Sequence, residues 1–411
     1  MWLLSKLLKR IIKRGQLTLI DHRGKTRVFG VPDPAMPHVV VRFTDKAAPN
    51  FVARNPRLGA GEAYMNGRMV VEQGDIRDLL TIFRGNGRWE DGNNGLKAKG
   101  VLRQALGYVQ GRVDRLNWQL RSRRNVAHHY DLDDRLYSLF LDTDRQYSCG
   151  YFATGKETLD EAQSSKLAHS AAKLHLAPGQ RVLDIGCGWG GMALFLNRVA
   201  DVDVLGITLS EEQLKVARQR AAAAGVADRV KFELIDYRAM TGQFDRIVSV
   251  GMFEHVGPQH YGTFFRQCRA LLSADGVMLL HTIGRMGKPG VTDPWTMKYI
   301  FPGGYNPALS EIVKASEPTR MIVTDVEILR LHYAMTLDQW FERTVAHRAE
   351  ITALYDERFY RMWAFYLAGA ASAFRYGGLV NFQLQYVRDR HALPITRDYM
   401  GAAEKLFAPR I

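Results

Sequence analysis

The feature that most constrains the fold is an alternation of short apolar runs and helical segments that begins at Gly179. Runs rich in Val, Ile and Leu predict buried strands, and the longer segments between them predict helices. Strands are predicted at 182–185, 202–207, 230–235, 244–250 and 277–281, and helices at 210–224 and 259–272. Strands that alternate with helices at this spacing predict an α/β fold with a parallel, doubly wound sheet.

A glycine-rich turn, Gly186-Cys187-Gly188-Trp189-Gly190-Gly191, follows the first predicted strand and opens a helix. Glycines allow the backbone to come close to a ligand at a helix N-terminus. In a doubly wound sheet, ligands bind beyond the carboxyl ends of the strands. Taken alone, this turn also fits a dinucleotide cofactor.

Acidic residues at the strand ends help to choose the cofactor. Asp184 lies at the end of the first predicted strand, and Asp236 follows the third. The second strand ends in Gly206-Ile207-Thr208-Leu209-Ser210, without the Asp or Glu that usually holds the ribose of a nicotinamide cofactor. This arrangement favours S-adenosylmethionine and the Rossmann-like sheet of a class I methyltransferase. A nicotinamide cofactor and a purely structural turn are the alternatives.

The basic residues of the chain are clustered. There are 56 Lys and Arg against 42 Asp and Glu, which gives a formal net charge of +14. Residues 1–30 and 101–130 carry most of this excess, and the rest of the chain is close to neutral. Clustered positive charge predicts an anionic partner, either a membrane surface or a nucleic acid.

The segment 1–14 has the pattern of a basic amphipathic helix. Apolar residues recur at helical spacing on one face and basic residues occupy the other, namely Leu3, Leu4, Leu7, Leu8, Ile11 and Ile12 against Lys6, Lys9, Arg10, Lys13 and Arg14. Such a helix can lie in a lipid interface. The alternative is a terminal helix that packs on its own domain and leaves its basic face in solvent.

Turn signals and composition predict the domain organisation. Alternating runs at 17–19 and 38–43 predict strands, and 76–83 predicts a helix. A patch rich in Gly and Asn then marks a boundary. The predicted parts are a smaller N-terminal α+β domain associated with lipid or membrane (1–95), a basic helical linker (96–128) and a catalytic domain (129–411).

The sequence also predicts where the protein resides. No run approaches the ~18 consecutive apolar residues of a membrane-spanning helix. The three cysteines, Cys149, Cys187 and Cys268, have no close pairing, which predicts a reducing compartment and no Cys-based zinc site. The N-terminus lacks the continuous apolar region and small-residue cleavage site of a secretory signal. We therefore predict a cytoplasmic protein, and peripheral association with the inner face of the membrane stays one of the two interpretations of the segment 1–14.

Several longer motifs follow one another in a fixed order. They are His129-Tyr130-Asp131 with Phe140-Leu141-Asp142, Gln146-Tyr147-Ser148-Cys149-Gly150-Tyr151, Ala162-Gln163 with Lys166, residues 182–190, residues 250–257, and His281-Thr282-Ile283-Gly284 with His332-Tyr333 and Trp340. Together they resemble the cyclopropane-fatty-acyl-phospholipid synthase family, which includes the mycolic-acid cyclopropane synthases and other fatty-acyl methyltransferases. Residues 59–67 are similar to the N-terminal domain of the bacterial phospholipid enzymes.

The resemblance implies methylene transfer from S-adenosylmethionine to cis double bonds of phospholipid acyl chains, which forms cyclopropane fatty acids. It implies bicarbonate as the proton acceptor, held by Cys149, Glu254, His281, the backbone of Ile283 and Tyr333. It implies that the cofactor is bound by Tyr147, Ser148, Asp184, Gly186, Gly188, Thr208, Leu209, Gln213, Asp236, Tyr237 and Arg238. A homodimer that acts on a phospholipid bilayer, without nucleic acid, is also expected.

The chemistry gives these residue types a reason. Methyl transfer to an alkene leaves a carbocation-like centre, which aromatic faces stabilise; the candidates are Tyr147, Tyr151, Phe152, Phe253 and Tyr333. A carboxylate beside a bound anion must hold a proton, so the pKa of Glu254 is predicted to be raised. Ser210 is predicted to cap a helix, and Cys187 and Cys268 to pack. The adjacent His128 and His129 do not face one point, so no metal is predicted.

The sequence departs from the family pattern in two places. Asp133 and Asp134 stand where the family usually has Gly-Asn, and Ala370 stands where many relatives have Cys. The missing thiol does not rule out activity, because the reaction forms no acyl-enzyme. Three alternatives are a fatty-acyl methyltransferase that gives a methyl or methylene branch, an RNA methyltransferase, and a non-catalytic lipid-binding protein.

Overall fold

The computed structural model describes residues 1–92 and 132–408, which divide into two compact units. The described part of the first unit comprises 1–92, 292–302 and 337–378, and that of the second comprises 132–291, 303–336 and 379–408. The predicted linker at 96–128 and the motif His129-Tyr130-Asp131 lie outside the described residues.

Both units contain helices and strands, which are numbered in chain order. The described helices are α1 (Trp2–Ile11), α2 (Ala48–Arg54), α3 (Pro56–Met65), α4 (Ile76–Gly85), α5 (Asp134–Phe140), α6 (Leu159–Lys173), α7 (Gly191–Ala200), α8 (Glu211–Ala223), α9 (Tyr261–Leu271), α10 (Pro294–Tyr299), α11 (Leu309–Ser316), α12 (His332–Ala346), α13 (Arg348–Leu354), α14 (Glu357–Arg375) and α15 (Asp398–Phe407). The described strands are β1 (Gln16–Ile20), β2 (Thr26–Phe29), β3 (His38–Phe43), β4 (Met69–Gln73), β5 (Arg181–Ile185), β6 (Asp203–Thr208), β7 (Val230–Leu234), β8 (Phe244–Val250), β9 (Leu272–Arg285), β10 (Ile322–Leu329) and β11 (Leu379–Val387). Short 3-10 turns lie at Tyr237–Ala239, Phe253–His255, Pro258–His260 and Glu317–Thr319.

The first unit contains a four-stranded sheet in the order β2-β1-β3-β4. β1 is parallel to β3, and the other pairs are antiparallel. Alternate residues of β1 and β3 are buried, so one face of each strand lies in the core. Asp75 caps α4 with a capping box. The strands predicted at 17–19 and 38–43 and the helix predicted at 76–83 are confirmed.

The amphipathic helix α1 packs most of its apolar face within the first unit. Leu4, Leu8, Ile11 and the following Ile12 are buried, and α1 packs against α2. Trp2, in contrast, is 72% exposed. The second interpretation of this segment, a helix packed on its own domain, therefore holds for most of its apolar residues.

The second unit is built on a seven-stranded sheet in the order β10-β11-β9-β8-β5-β6-β7. The strands β9, β8, β5, β6 and β7 are parallel to one another, as predicted, and α8 and α9 lie at the predicted places. Their apolar residues form two core clusters, which include Leu183, Ile247 and Leu280 in one and Val182, Val248 and Leu279 in the other. The class I methyltransferase fold is confirmed.

Two strands of the second unit, β10 and β11, were not predicted from the sequence, and neither were β2 and β4 of the first unit. β11 inserts between β9 and β10 and runs antiparallel to both, so the sheet is mixed rather than fully parallel. β9 is also longer than predicted, because it begins at Leu272 and includes the polar stretch 273–276, which has the composition of a turn. β10 and β11 extend the sheet beyond β9, the strand that carries His281.

The units do not follow the predicted boundaries, which placed all of 129–411 in one catalytic domain. Two stretches of that range, 292–302 and 337–378, group with the N-terminal residues. The reason is packing within the first unit, where α14 contacts α3 and α4 and the ring of Phe365 lies 4.7 Å from that of Trp295. None of the described helices combines the length and apolar character that a membrane crossing requires.

Candidate active site

A cavity opens at the carboxyl ends of the parallel strands of the second unit. Its lining contains every residue that was predicted to bind the cofactor, namely Tyr147, Ser148, Asp184, Gly186, Gly188, Thr208, Leu209, Gln213, Asp236, Tyr237 and Arg238. The structure therefore brings these residues together in one place. That they bind S-adenosylmethionine stays a prediction.

The glycine turn shapes one wall of this cavity. Gly190 has a φ of +84°, and a side chain there would meet the ring of Phe232 2.7 Å away. Gly188 also has a positive φ, but the space in front of it is open. Glycine is therefore needed at Gly190 both for close packing and for the backbone conformation. At Gly188 it is needed for the backbone conformation alone.

Asp184 is the buried acid of the cavity. Its side chain is almost fully buried, and its Oδ2 has no hydrogen-bond partner. Burial raises the pKa of Asp184 to about 7, and the positive charge of Lys166 opposes this shift. An unpartnered carboxylate oxygen in a cavity wall suits a cationic group, such as the ammonium of the methionine part of S-adenosylmethionine.

The residues at the second and third strand ends are held by local hydrogen bonds. The Thr208 hydroxyl donates to Gln213 Oε1 over 3.0 Å, and Ser210 caps α8, as predicted. Arg238 forms an ion pair of 2.6 Å with Asp236. This pair fixes the Asp236 carboxylate at the cavity edge.

Lys166 supports the part of the cavity wall formed by Gln146 and Ser148, although the sequence assigned it no role. Its ammonium donates to Gln146 Oε1 and, over 3.0 Å, to Ser148 Oγ. Burial lowers the pKa of Lys166 to about 8. On the same helix, Gln163 donates to the carbonyl oxygen of Ser148 over 2.8 Å. The sequence does contain a signal for these two residues, because a Lys and a Gln stand out among the small residues of α6.

Glu254 and Ile283 are in direct contact. The backbone N–H of Ile283, on β9, donates to Glu254 Oε1 over 2.5 Å, while Glu254 Oε2 is buried without a partner. Burial raises the pKa of Glu254 to about 7, in the predicted direction. Met252 and His255, on either side in the chain, line the cofactor cavity. Glu254 itself does not line that cavity.

His281 is also buried on β9, two residues before Ile283. Its Nε2 lies 2.7 Å from Asn381 Nδ2, and its Nδ1 lies 3.1 Å from Gln383 Nε2. Burial lowers the pKa of His281 to about 3, so the ring is neutral. Asn381 and Gln383 were missed, although polar residues at alternate positions of an apolar strand are a visible signal.

The segment around Cys149 is fixed to α12, which carries Tyr333. The backbone N–H of Gly150 donates to the Thr336 hydroxyl over 3.0 Å. The N–H of Phe152 donates to His332 Nδ1 over the same distance. Cys149 is fully buried, and burial raises the pKa of its thiol well above the usual value.

The aromatic candidates have different surroundings. Tyr147 lines the cofactor cavity, while the ring of Tyr151 stacks on His169 at 4.0 Å. Phe253 stacks on Tyr261 at 4.2 Å inside the hydrophobic core, which does not support its predicted role at a cationic centre. Cys187 and Cys268 are buried, and both belong to the core clusters, as predicted.

Asp133 and Asp134, which depart from the family pattern, have structural partners. Asp133 caps α5. Asp134 accepts a hydrogen bond of 3.1 Å from Trp189 Nε1 of the glycine turn and pairs with Arg145 over 2.5 Å. The segment over the cavity is thus connected to the glycine turn.

Comparison with known proteins agrees with this geometry. The family described as mycolic acid cyclopropane synthetase matches residues 118–384. The chain is 39% identical over 337 residues to the cyclopropane-fatty-acyl-phospholipid synthase of Escherichia coli (strain K12), which covers 82% of this chain and 85% of that protein. It is 32% identical over 404 residues to the tuberculostearic acid methyltransferase UfaA1 of Mycobacterium tuberculosis. This match covers 94% of this chain and 91% of that protein.

Solved structures of related enzymes have the same fold. The cyclopropane synthase MmaA2 from Mycobacterium tuberculosis has a TM-score of 0.62 at 34% identity, covering 64% of this chain and 97% of that one. The mycolic acid cyclopropane synthase CmaA1 complexed with SAH and CTAB has a TM-score of 0.61 at 36% identity, with the same coverage. The chain therefore belongs to the mycolic acid cyclopropane synthetase family and is an S-adenosylmethionine-dependent methyltransferase.

Proposed function

We propose that the enzyme converts cis double bonds in the acyl chains of membrane phospholipids to cyclopropanes. The observation that carries this proposal is the buried Glu254–Ile283 pair, because Met252 and His255, close to Glu254 in the chain, line the cofactor cavity. The similarity to the cyclopropane-fatty-acyl-phospholipid synthase of Escherichia coli over most of both chains supports the substrate class.

The reaction needs an electrophile, a dry site and a proton acceptor. S-adenosylmethionine supplies an electrophilic methyl group. Attack of the alkene on this carbon would form a C–C bond, break the C–S bond with S-adenosylhomocysteine as the leaving group, and leave a carbocation-like centre on the acyl chain. Loss of a proton from the new methyl group then closes the ring. A carboxyl with a pKa of about 7 can hold or release a proton near neutral pH, which suits Glu254 to this step.

Bicarbonate fits one feature of the site. Glu254 Oε2 is a buried acceptor without a partner, and the hydroxyl of bicarbonate is a donor. Glu254, Tyr333 and Cys149 would hold the ion, which would supply the proton acceptor. The Cys149 thiol donates to the carbonyl oxygen of Gly150, and the Ile283 N–H and the His281 ring also have partners in this structure. Holding the ion there would require these hydrogen bonds to be exchanged.

Lipid mass spectrometry tests the reaction. Cells that express the wild-type enzyme should gain one CH2 on monounsaturated acyl chains and lose the olefinic signal. Glu254→Gln should abolish this change, whereas Glu212→Gln, on the exposed side of α8, should not. Monounsaturated lipids left unchanged by purified wild-type enzyme that methylates RNA would contradict the proposal.

A branched product is the second candidate, favoured by the similarity to the tuberculostearic acid methyltransferase over nearly the whole chain. Both products add one carbon, so mass alone does not separate them. Proton NMR of the extracted lipids distinguishes cyclopropane ring protons from those of a methyl or methylene branch.

We also propose peripheral binding of a homodimer to the inner face of the membrane. The basic residues Lys6, Lys9 and Arg10 of α1 are exposed beside Trp2. Lys9→Glu with Arg10→Glu should weaken sedimentation with vesicles containing phosphatidylglycerol, and more so at low salt. Equal binding by this variant and the wild type would contradict the proposal, and light scattering tests the dimer.

A further inference from the structure

The strand β11 presents three amide side chains on one face. Asn381, Gln383 and Gln385 alternate along the strand, and each is almost completely buried. β11 pairs antiparallel with β9, so that Asn381 lies opposite Ile283 and Gln383 lies opposite His281. A buried amide is costly unless it is hydrogen-bonded, so the partners of these groups show what they do.

Two of the amides enclose the ring of His281. Asn381 Nδ2 is 2.7 Å from Nε2 of the ring, and Gln383 Nε2 is 3.1 Å from Nδ1. A neutral imidazole has one nitrogen that donates and one that accepts. One amide must therefore donate through its NH2 group and the other must accept through its oxygen, which either amide can do by turning about its last bond. This arrangement fixes the orientation of the ring and couples its tautomer to the orientations of the two amides.

We propose that Asn381 and Gln383 are positioning residues that hold His281 neutral, in one orientation and one tautomer, beside the Glu254–Ile283 pair. The inference deepens the proposed function and rests on it for the role of His281. His281 and Ile283 are two residues apart on one face of β9, about 7 Å along the strand. A neutral ring on this strand adds no positive charge that would favour the ionised form of the Glu254 carboxyl.

The charged groups around His281 act in both directions. Lys166, Lys173 and His169, all on α6, disfavour a proton on the ring, and Glu327 on β10 favours it. The amides are uncharged, so their contribution is to orient the ring and to select the nitrogen that carries its proton.

Gln385 provides a matched control on the same face of the same strand. Its amide donates to the Tyr399 hydroxyl over 2.7 Å and also to the carbonyl oxygen of Lys173. In the pairing of β11 with β9, Gln385 lies opposite Leu279 rather than His281. Gln385→Met therefore reports the cost of removing a buried amide from β11 while both amides beside the ring stay in place.

The test compares Gln383→Met and Asn381→Leu with Gln385→Met. Imidazole 13C and 15N NMR of the cofactor-free protein, with His281 assigned through His281→Gln, measures tautomer and protonation without requiring activity. We expect one neutral tautomer for His281 in the wild type and in Gln385→Met, and a mixture in the other two variants. Gln383→Glu should instead raise the pKa of His281, because it places a carboxylate beside the ring.

Kinetics give a second readout. Loss of one ring partner should lower kcat about tenfold, the equivalent of one hydrogen bond, with little change in KM for S-adenosylmethionine. The inference is overturned if the His281 spectra of Gln383→Met and Asn381→Leu match that of Gln385→Met. If the spectra change as expected but the wild type leaves unsaturated lipids untouched, the positioning role stands and the proposed function fails.

Discussion

The backbone N–H of Ile283 donates a hydrogen bond of 2.5 Å to one oxygen of the Glu254 carboxyl, while the other oxygen is buried and unpartnered. One backbone donor compensates only part of the cost of burying a charge. The pKa of about 7 is the result, and it makes both the chemistry and the stability of the protein depend on pH.

Glu254→Gln should change how stability depends on pH. The pKa of Glu254 in the folded state lies above the ordinary value of 4.5. Its contribution to the free energy of unfolding is therefore full at low pH and is lost as the pH rises through about 7. The amide side chain of the variant cannot ionise, so the variant does not lose stability in this way. Its free energy of unfolding, relative to the wild type, should rise by about 2 kcal/mol between pH 5 and pH 8. Urea unfolding at both pH values measures this difference, and a constant difference would contradict the assigned pKa.

Asp184→Asn should weaken binding of S-adenosylmethionine by roughly 10- to 100-fold, because a charge-assisted hydrogen bond to the ammonium is lost. Since Asp184 must be ionised to bind a cation, wild-type affinity should be about tenfold lower at pH 6 than above pH 8. Calorimetric titration at several pH values checks both results. Asp203→Asn, on the exposed end of β6, is the control and should bind like the wild type.

Lys166→Met should shift the pH dependence of cofactor binding upward. The Lys166 charge lowers the pKa of Asp184, so its removal raises that pKa above 7. The midpoint of the binding curve against pH should move in the same direction, and Lys215→Met, exposed on α8, should leave it unchanged. A lower midpoint in Lys166→Met would contradict the assigned interaction.

Asp134→Asn should be nearly neutral. An amide oxygen can still accept from Trp189 Nε1, and the lost ion pair with Arg145 is partly exposed, so the cost should be below about 1 kcal/mol. Asp134→Leu removes the acceptor as well and should lower both the melting temperature and the affinity for S-adenosylmethionine. Equal effects of the two substitutions would show that the bond to Trp189 does not matter.

Helix α1 should respond differently on its two sides. Leu8 is 2% exposed, and Leu8→Ala should destabilise the protein by about 2–5 kcal/mol, the usual range for a buried leucine. Leu3 is 43% exposed, and Leu3→Ala should change stability by less than about 0.5 kcal/mol. Thermal unfolding of both variants measures the contrast. Comparable losses would mean that Leu3 is covered in solution.

Much of the second unit could be predicted because its parallel strands are short apolar runs separated by helices. The strands at 182–185 and 244–250 and the helix capped by Ser210 are local patterns, and all three are confirmed. β11 could not be placed in this way. Its neighbour β9 lies almost a hundred residues earlier, and pairing over that separation leaves no periodic trace in the sequence.

The same distinction applies to the candidate site. The cofactor residues follow strand ends and a glycine turn, so their grouping was predictable, and they line one cavity. Asn381 and Gln383 contact His281 only through the β9–β11 pairing, so local sequence could not link them. The grouping of 337–378 with the N-terminal residues depends likewise on contacts between distant segments.

The place of β11 in the sheet affects how the enzyme comes into being on the ribosome. The ring of His281 gains both of its neighbours only when 379–387 have been synthesised and paired with β9. A nascent chain that already contains the glycine turn and Glu254 still lacks these two amides. Any chain that stops before residue 379 therefore has the ring of His281 without these two hydrogen-bond partners.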